Sequence, residues 1–378
     1  MKLNLKRGFL PSQDPLTKLP DAFKTWETFA HDLPKRIASK YLRQWLRDLL
    51  TLPVAELTTS AELERAMLIL SYFAHAYVWS DPQSPATVLP AAIAKPWYQV
   101  SKQLQRPPVL SYASYALHNW RRFDTSQEIE LNNIALLQNF MAGIDEEWFI
   151  LIHVDIEARA IPAIHSLQPL QQAIADENDP QIEKYLTIIG NSLQAIYDTM
   201  QRMPEYCDPY IYYQRVRPYI HGWKDNPALP QGLIYDGVAA YQNQPQQFKG
   251  ETGAQSTIIP ALDAVLNIHH RDTPLKKHLD EMRIYMPKSH REFLSLLEQG
   301  PSLRDFLLKT KQTNLTQLYN DCLHTIESFR QIHLQYAAEY IQKQTQHYAG
   351  NPTEVGTGGT PFMTYLSEHR DETTETKL

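Results

Sequence analysis

Ile326-Glu327-Ser328-Phe329-Arg330-Gln331-Ile332-His333-Leu334-Gln335-Tyr336-Ala337 is the stretch whose reading settles the class of this chain. Ile326, Phe329, Arg330, His333, Ala337 and Tyr340 recur at spacings of three and four, so they share one face of a helix that the pattern carries from Asn314 to about His347. A single imidazole thus has apolar neighbours above and below it. In most proteins a histidine so placed is a satisfied core residue, and spacing alone does not separate that role from ligation of a metal centre.

Outward from this helix the chain reads as further helices joined by proline-rich turns. Trp26 to Leu50 has helical periodicity broken by Pro34, and Pro53 ends it. Thr59-Ser60-Ala61-Glu62 is a capping box that opens an apolar helix through Leu68, Tyr72, His75 and Trp79. Residues 82–108, with Pro85, Pro90, Pro96 and Pro107, read as an irregular connection. Helices are expected over Glu128–Phe140, Trp148–Leu167 and from Asp179-Pro180 to about Met200. Shorter ones follow over Tyr210–Ile220, Ala254–His270, from Thr273-Pro274 to Pro287, and from Ser289 to Gly300. No segment alternates as a strand does, and Asp371–Leu378 reads as a disordered end. The class is all-α, with a smaller helical domain over 1–140 and a larger one over 141–378.

Composition narrows the function. The 378 residues include 21 Tyr, 12 Phe and 7 Trp, more aromatic surface than a core of this size needs. A net charge of −6 gives no reason to expect nucleic acid, although ten basic against five acidic residues in the first fifty form a solvated helix face. Cys207 and Cys322 lie in no disulfide or zinc pattern, and no run is long and apolar enough to span a membrane. A cytoplasmic monomer is expected, acting on a small molecule, without nucleic acid or membrane partners.

No phosphate loop, dinucleotide fingerprint, His-Glu-x-x-His or nucleophile elbow occurs. His269-His270 with His278 makes a poor metal cluster, because adjacent histidines on a helix diverge. Two glycine-bearing loops are more informative: Lys249-Gly250-Glu251-Thr252-Gly253-Ala254-Gln255-Ser256 and Gly356-Thr357-Gly358-Gly359-Thr360. Glycine lets backbone approach a ligand and present amide donors to it.

These stretches together resemble the indoleamine 2,3-dioxygenases. The resemblance rests on Arg106-Pro107-Pro108-Val109-Leu110-Ser111-Tyr112-Ala113 with Asn119-Trp120, Gly222-Trp223-Lys224 with Asn226-Pro227, and Gly232-Leu233-Ile234-Tyr235. It continues in Gly253-Ala254-Gln255-Ser256 with Asp263, Arg283-Ile284-Tyr285-Met286-Pro287 with His290-Arg291, Arg330 with His333, and the Gly356–Thr360 loop. It implies a haem b enzyme, active with ferrous iron, that inserts both atoms of O₂ across the indole C2–C3 bond of tryptophan to give N-formylkynurenine, the first step of the kynurenine pathway. Haem is implied to lie between the two domains. A haem-binding relative acting on a modified tryptophan, or a gas or haem sensor, is the alternative.

Residue by residue, the resemblance implies that His333 is the proximal ligand of the haem iron and that Asp263 orients its imidazole. Arg330 is implied to reach a haem propionate, with Gly250, Thr252 and Gly253 at the haem edge. Tyr112, Tyr115, Phe149, Tyr212, Tyr213 and Thr252 are the implied substrate pocket, Arg217 the carboxylate clamp and Thr357 the lid residue. His153 resembles the distal histidine of the related tryptophan 2,3-dioxygenases, able to accept the indole N–H. The chain departs from the animal members at Tyr115 for a cysteine, Glu251 for a glycine and His221 for a serine.

Overall fold

The computed structural model describes residues 5–81, 83–344, 351–359 and 361–378. The expected end of the long helix near His347 and the Thr360 end of the second glycine loop lie outside the described residues.

Four of the α-helices open on a side-chain cap: Thr59, Asn178, Asp208 and Ser302 each accept a backbone N–H of the first turn. The first helices in the chain are α1 (Lys24–Arg36), α2 (Leu42–Arg47) and α3 (Ser60–Trp79). At α3 the capping box is complete: the Thr59 hydroxyl accepts the Glu62 N–H at 3.2 Å, and the Glu62 carboxylate accepts the Thr59 N–H at 2.8 Å. Nearly every side chain of α3 beyond its first turn is buried, so this helix is the axis of the N-terminal packing.

Four expectations need correction, the last of them at the chain's end. Residues 82–108 contain α4 (Ala91–Leu104), which Pro90 precedes and which keeps Pro96 inside it. Ile93, Ala94, Trp97 and Val100 bury one face, and that burial outweighs the one backbone bond that Pro96 cannot make. Second, Glu128–Phe140 is no helix. β2 (Trp120–Arg122) pairs antiparallel with β3 (Ile134–Leu136), and short β1 (Val88–Leu89) and β4 (Ile234–Tyr235) pair in parallel. The Asn133 side chain holds the intervening loop, donating to Asp124 O and Glu128 O at 2.9 Å each and accepting the Asp124 N–H at 2.9 Å. Third, the stretch from Trp148 to Leu167 is two helices, α5 (Ile144–Arg159) and α6 (Ile161–Ala175), parted at Ala160 beside Pro162.

The remaining order is α7 (Asp179–Gln201), α8 (Pro209–Ile211), a π-helical turn Tyr212–Val216, and α9 (Arg217–Ile220). Then come α10 (Ile258–Leu266), α11 (Pro274–Met282), α12 (Lys288–Leu297), α13 (Leu303–Thr310) and α14 (Thr313–Ala337) with a π turn at Ala338–Gln342. The end of the chain is not disordered: α15 (Phe362–Thr376) lies along α14, tied by Lys377 Nζ to Glu327 at 2.5 Å and by the Leu378 N–H to Asn320 Oδ1 at 3.0 Å. Polar composition concealed it, because it is held by side-chain bonds to α14 and by Glu372 to His270 and Arg271 beyond the end of α10.

Two apolar cores result. One gathers α1 to α4 with Ile220, Trp223, Leu233, Tyr235, Met282 and Tyr285; the other gathers α5 to α7, α10, α13 and α14 with Phe9 and Leu10. Each core thus draws side chains from both sides of residue 140.

Candidate functional site

A cavity of about 590 Å³ opens among α5, α10, α14, α15 and the two glycine loops, well inside the range of roughly 300–1,000 Å³ usual for ligand sites. Tyr112, Phe149, His153 and Tyr212 form an aromatic wall. α14 contributes Phe329, Arg330, His333 and Tyr336, and Thr252, Gly253, Thr357 and Gly358 form an edge.

Helix geometry fixes the tautomer of His153. Its Nδ1 lies 2.7 Å from Phe149 O one turn back, and since a carbonyl only accepts, Nδ1 carries the proton and Nε2 the lone pair. Phe149 and Tyr112 pack against the ring with centroids 4.8 and 5.9 Å away, and burial holds the imidazole below its ordinary pKa, hence neutral. Phe149 also meets Tyr212 at 4.7 Å, so the wall is locked by its own rings.

The His333 imidazole makes no hydrogen bond to any described residue. Burial, aided by the nearby His153, pushes its pKa down to about 4. A neutral imidazole on a rigid helix, lone pair uncommitted and walls largely apolar, is the donor that a haem iron takes. The residues present therefore fit a haem.

Beside His333 lies a buried polar network. Arg330 Nη2 is 2.8 Å from both Asp263 oxygens, and Nη1 donates to His369 O at 3.0 Å and to the Thr373 hydroxyl. Asp263 is thus bonded to Arg330 rather than to His333, and its pKa is lowered by Arg330 and His270 against the cost of burial. His270 links α10 to α15, with Nε2 3.2 Å from Asp263 Oδ2 and Nδ1 2.6 Å from Glu372 Oε2. Both ring nitrogens facing carboxylates, together with the raised pKa, mark it as an imidazolium. Nothing in the local sequence announces His270, because its partners lie 7 and 102 positions away.

The glycine loops are held by a backbone crossing. A Cβ on Gly250 would stand 2.2 Å from Gly222 N, so both positions require glycine for close packing. Gly250 lies at this crossing and does not line the cavity. Glu251 follows: its N–H bonds Ile220 O at 3.1 Å, its carbonyl accepts the Thr357 hydroxyl, and its side chain lines the cavity. Arg217, fully buried, donates to Asn351 Oδ1, to Pro352 O at 2.8 Å and to Val355 O at 2.6 Å, while the Tyr213 hydroxyl donates to Asn351 O at 2.5 Å. Arg217 and Tyr213 therefore grip the base of the Thr357 loop and are not in the cavity wall. Tyr115 stands behind that wall, its ring 6.4 Å from both Phe149 and Tyr72. Glu157 went unnoticed in the sequence: it accepts the Tyr112 hydroxyl at 3.0 Å and the Ser256 hydroxyl at 2.8 Å, with its pKa pushed up by burial to about 7.

Residues 2–376 match the family model described as indoleamine 2,3-dioxygenase. The chain is 35% identical to indoleamine 2,3-dioxygenase 1 of Rattus norvegicus, covering 96% of this chain and 92% of the relative. It is 34% identical to indoleamine 2,3-dioxygenase 2 of Homo sapiens, over 98% and 93%, and 30% identical to the indoleamine 2,3-dioxygenase of Saccharomyces cerevisiae, over 98% and 91%.

Proposed function

This chain belongs to the indoleamine 2,3-dioxygenase family and is a haem-dependent dioxygenase of tryptophan, and from that premise we propose that it converts L-tryptophan and O₂ to N-formylkynurenine, with ferrous haem b held by His333. The observation that carries the assignment of His333 is its neutral, unbonded imidazole on the cavity wall. The haem supplies the redox-active iron that activates O₂; the chain's own residues bind, orient and shield.

Tyr112, Phe149 and Tyr212 present flat apolar surface to a bicyclic ring and exclude water from it. His153 Nε2, a lone-pair acceptor by the tautomer its Phe149 bond imposes, takes the indole N–H as a hydrogen bond and so sets the ring's rotation. Arg217 reaches a substrate carboxylate only by exchanging the Pro352 or Val355 carbonyls for it, which links carboxylate binding to the position of the Thr357 loop. Thr252 and Gly253 keep one edge of the cavity narrow, and Arg330 with Asp263 fixes α14, and with it His333, against α10.

Both cysteines are buried free thiols, which suits the proposed cytoplasmic setting, and no helix among the described residues is long and apolar enough to cross a membrane. The test is aerobic turnover of L-tryptophan by the haem-loaded, reduced protein, followed as N-formylkynurenine absorbance. Sustained product formation is expected; a fully haem-loaded, reduced protein that forms none contradicts the proposal.

A further inference from the structure

The cavity wall carries a carboxyl group that none of the roles above employs. Glu251 is only 3% exposed, its backbone is fixed at both ends by Ile220 O and the Thr357 hydroxyl, and its carboxylate has no hydrogen-bond partner among the described residues. A carboxylate stripped of water and left alone in protein is costly, and such a group is retained where a ligand completes it. The titratable groups that share its field are the phenols of Tyr72 on α3, Tyr112 and Tyr115 at the π turn Ala113–Leu117 that Tyr112 caps, and Tyr212 at the π turn after α8; among the described residues no cation acts on it. Lys249, two residues away, turns elsewhere, to Gly358 O at 2.9 Å, Asp225 at 3.5 Å and Glu281 at 3.7 Å. What Glu251 lacks is a positive charge, and the one cationic group of an indole amino acid is its ammonium.

We propose that Glu251 binds the substrate ammonium directly and makes the amine, rather than the carboxylate alone, a group that this pocket selects. The inference rests on the reading of the cavity as an indole amine site. It gives the Thr357–Glu251 bond a second consequence, since the loop that meets the substrate's backbone atoms also positions the carboxyl that meets its amine. The empty carboxyl is raised by burial to about 8, so at neutral pH it holds a proton that an incoming ammonium must displace. Affinity for an amine therefore rises from about pH 6 to about pH 8, a window in which His333, held at about 4, stays neutral.

The experiment titrates the Soret band of the haem-loaded protein with L-tryptophan, with tryptamine, which keeps the ammonium and lacks the carboxylate, and with indole-3-propionate, which does the reverse. Wild type, Glu251→Gln and Glu251→Gly are compared. Both variants are expected to weaken L-tryptophan and tryptamine by about tenfold or more and to leave indole-3-propionate unchanged or tighter. In wild type, the first two ligands should bind more tightly toward pH 8, and the third should not. An equal change for all three ligands, no change for any, or a flat wild-type pH response with the amines overturns the inference alone. A haem-loaded wild type that binds none of the three overturns it together with the reading of the cavity.

Discussion

Two of the imidazoles that line the cavity, His153 and His333, are held in opposite ways. His153 on α5 is tied to its own helix through Phe149 O and wedged between aromatic rings, so its orientation and tautomer are set before any ligand arrives. The imidazole of His333 on α14 makes no hydrogen bond to a described residue; its helix is held instead, by Arg330 gripping Asp263 and α15. The difference teaches that a wall whose tautomer is fixed to accept a hydrogen bond can be built from local helix geometry, whereas a wall that offers an unbonded imidazole to a metal needs its rigidity supplied from elsewhere.

The comparison breaks most sharply by exchanging the roles. His333→Ala should abolish haem uptake, read as loss of the Soret band, while His153→Ala should retain haem and lose about tenfold in kcat/KM, the worth of roughly one hydrogen bond. Retention of a normal Soret band in the first variant, or its loss in the second, would reverse the assignment. Next in size is the support of the proximal wall. Asp263→Ala leaves Arg330 buried without its counter-charge and should cost about 3–5 kcal/mol in denaturant unfolding, far more than any exposed ion pair. A smaller effect sharpens the same contrast through pH. His270 has a raised pKa in the fold, so its bridge between Asp263 and Glu372 stabilises fully below the unfolded value near 6.5 and is lost as pH rises through the higher folded value. The unfolding midpoint should therefore fall more steeply across that interval in wild type than in His270→Ala, where the buried carboxyls Glu157 and Glu251 still titrate.

Legibility in the sequence follows the same division. The helix carrying His333 and the capping box at Thr59 are local matters of period and cap, and they were readable; Phe149, His153, Tyr112 and Tyr212 were implied only by the family resemblance, and all four line the cavity. Asn133 stapling a loop, Pro96 tolerated within α4 and α15 docking through Glu372 depend on partners that no periodicity reveals. Arg217 shows the limit in the site itself: its residue type suits a carboxylate, yet in the fold three acceptors from residues 351–355 already engage it. Glu251 was visible only as an odd residue in a glycine loop, and its unpaired burial becomes apparent once the Gly222–Gly250 crossing is seen to aim it inward.

The most direct test of the whole account is the fate of oxygen. With ¹⁸O₂ and L-tryptophan, the haem-loaded ferrous protein should place both labelled atoms in each molecule of N-formylkynurenine, since the indole bond is opened by one O₂ with no external donor consumed. A product carrying a single labelled atom, or turnover that halts unless reductant is supplied in proportion to product, would contradict it.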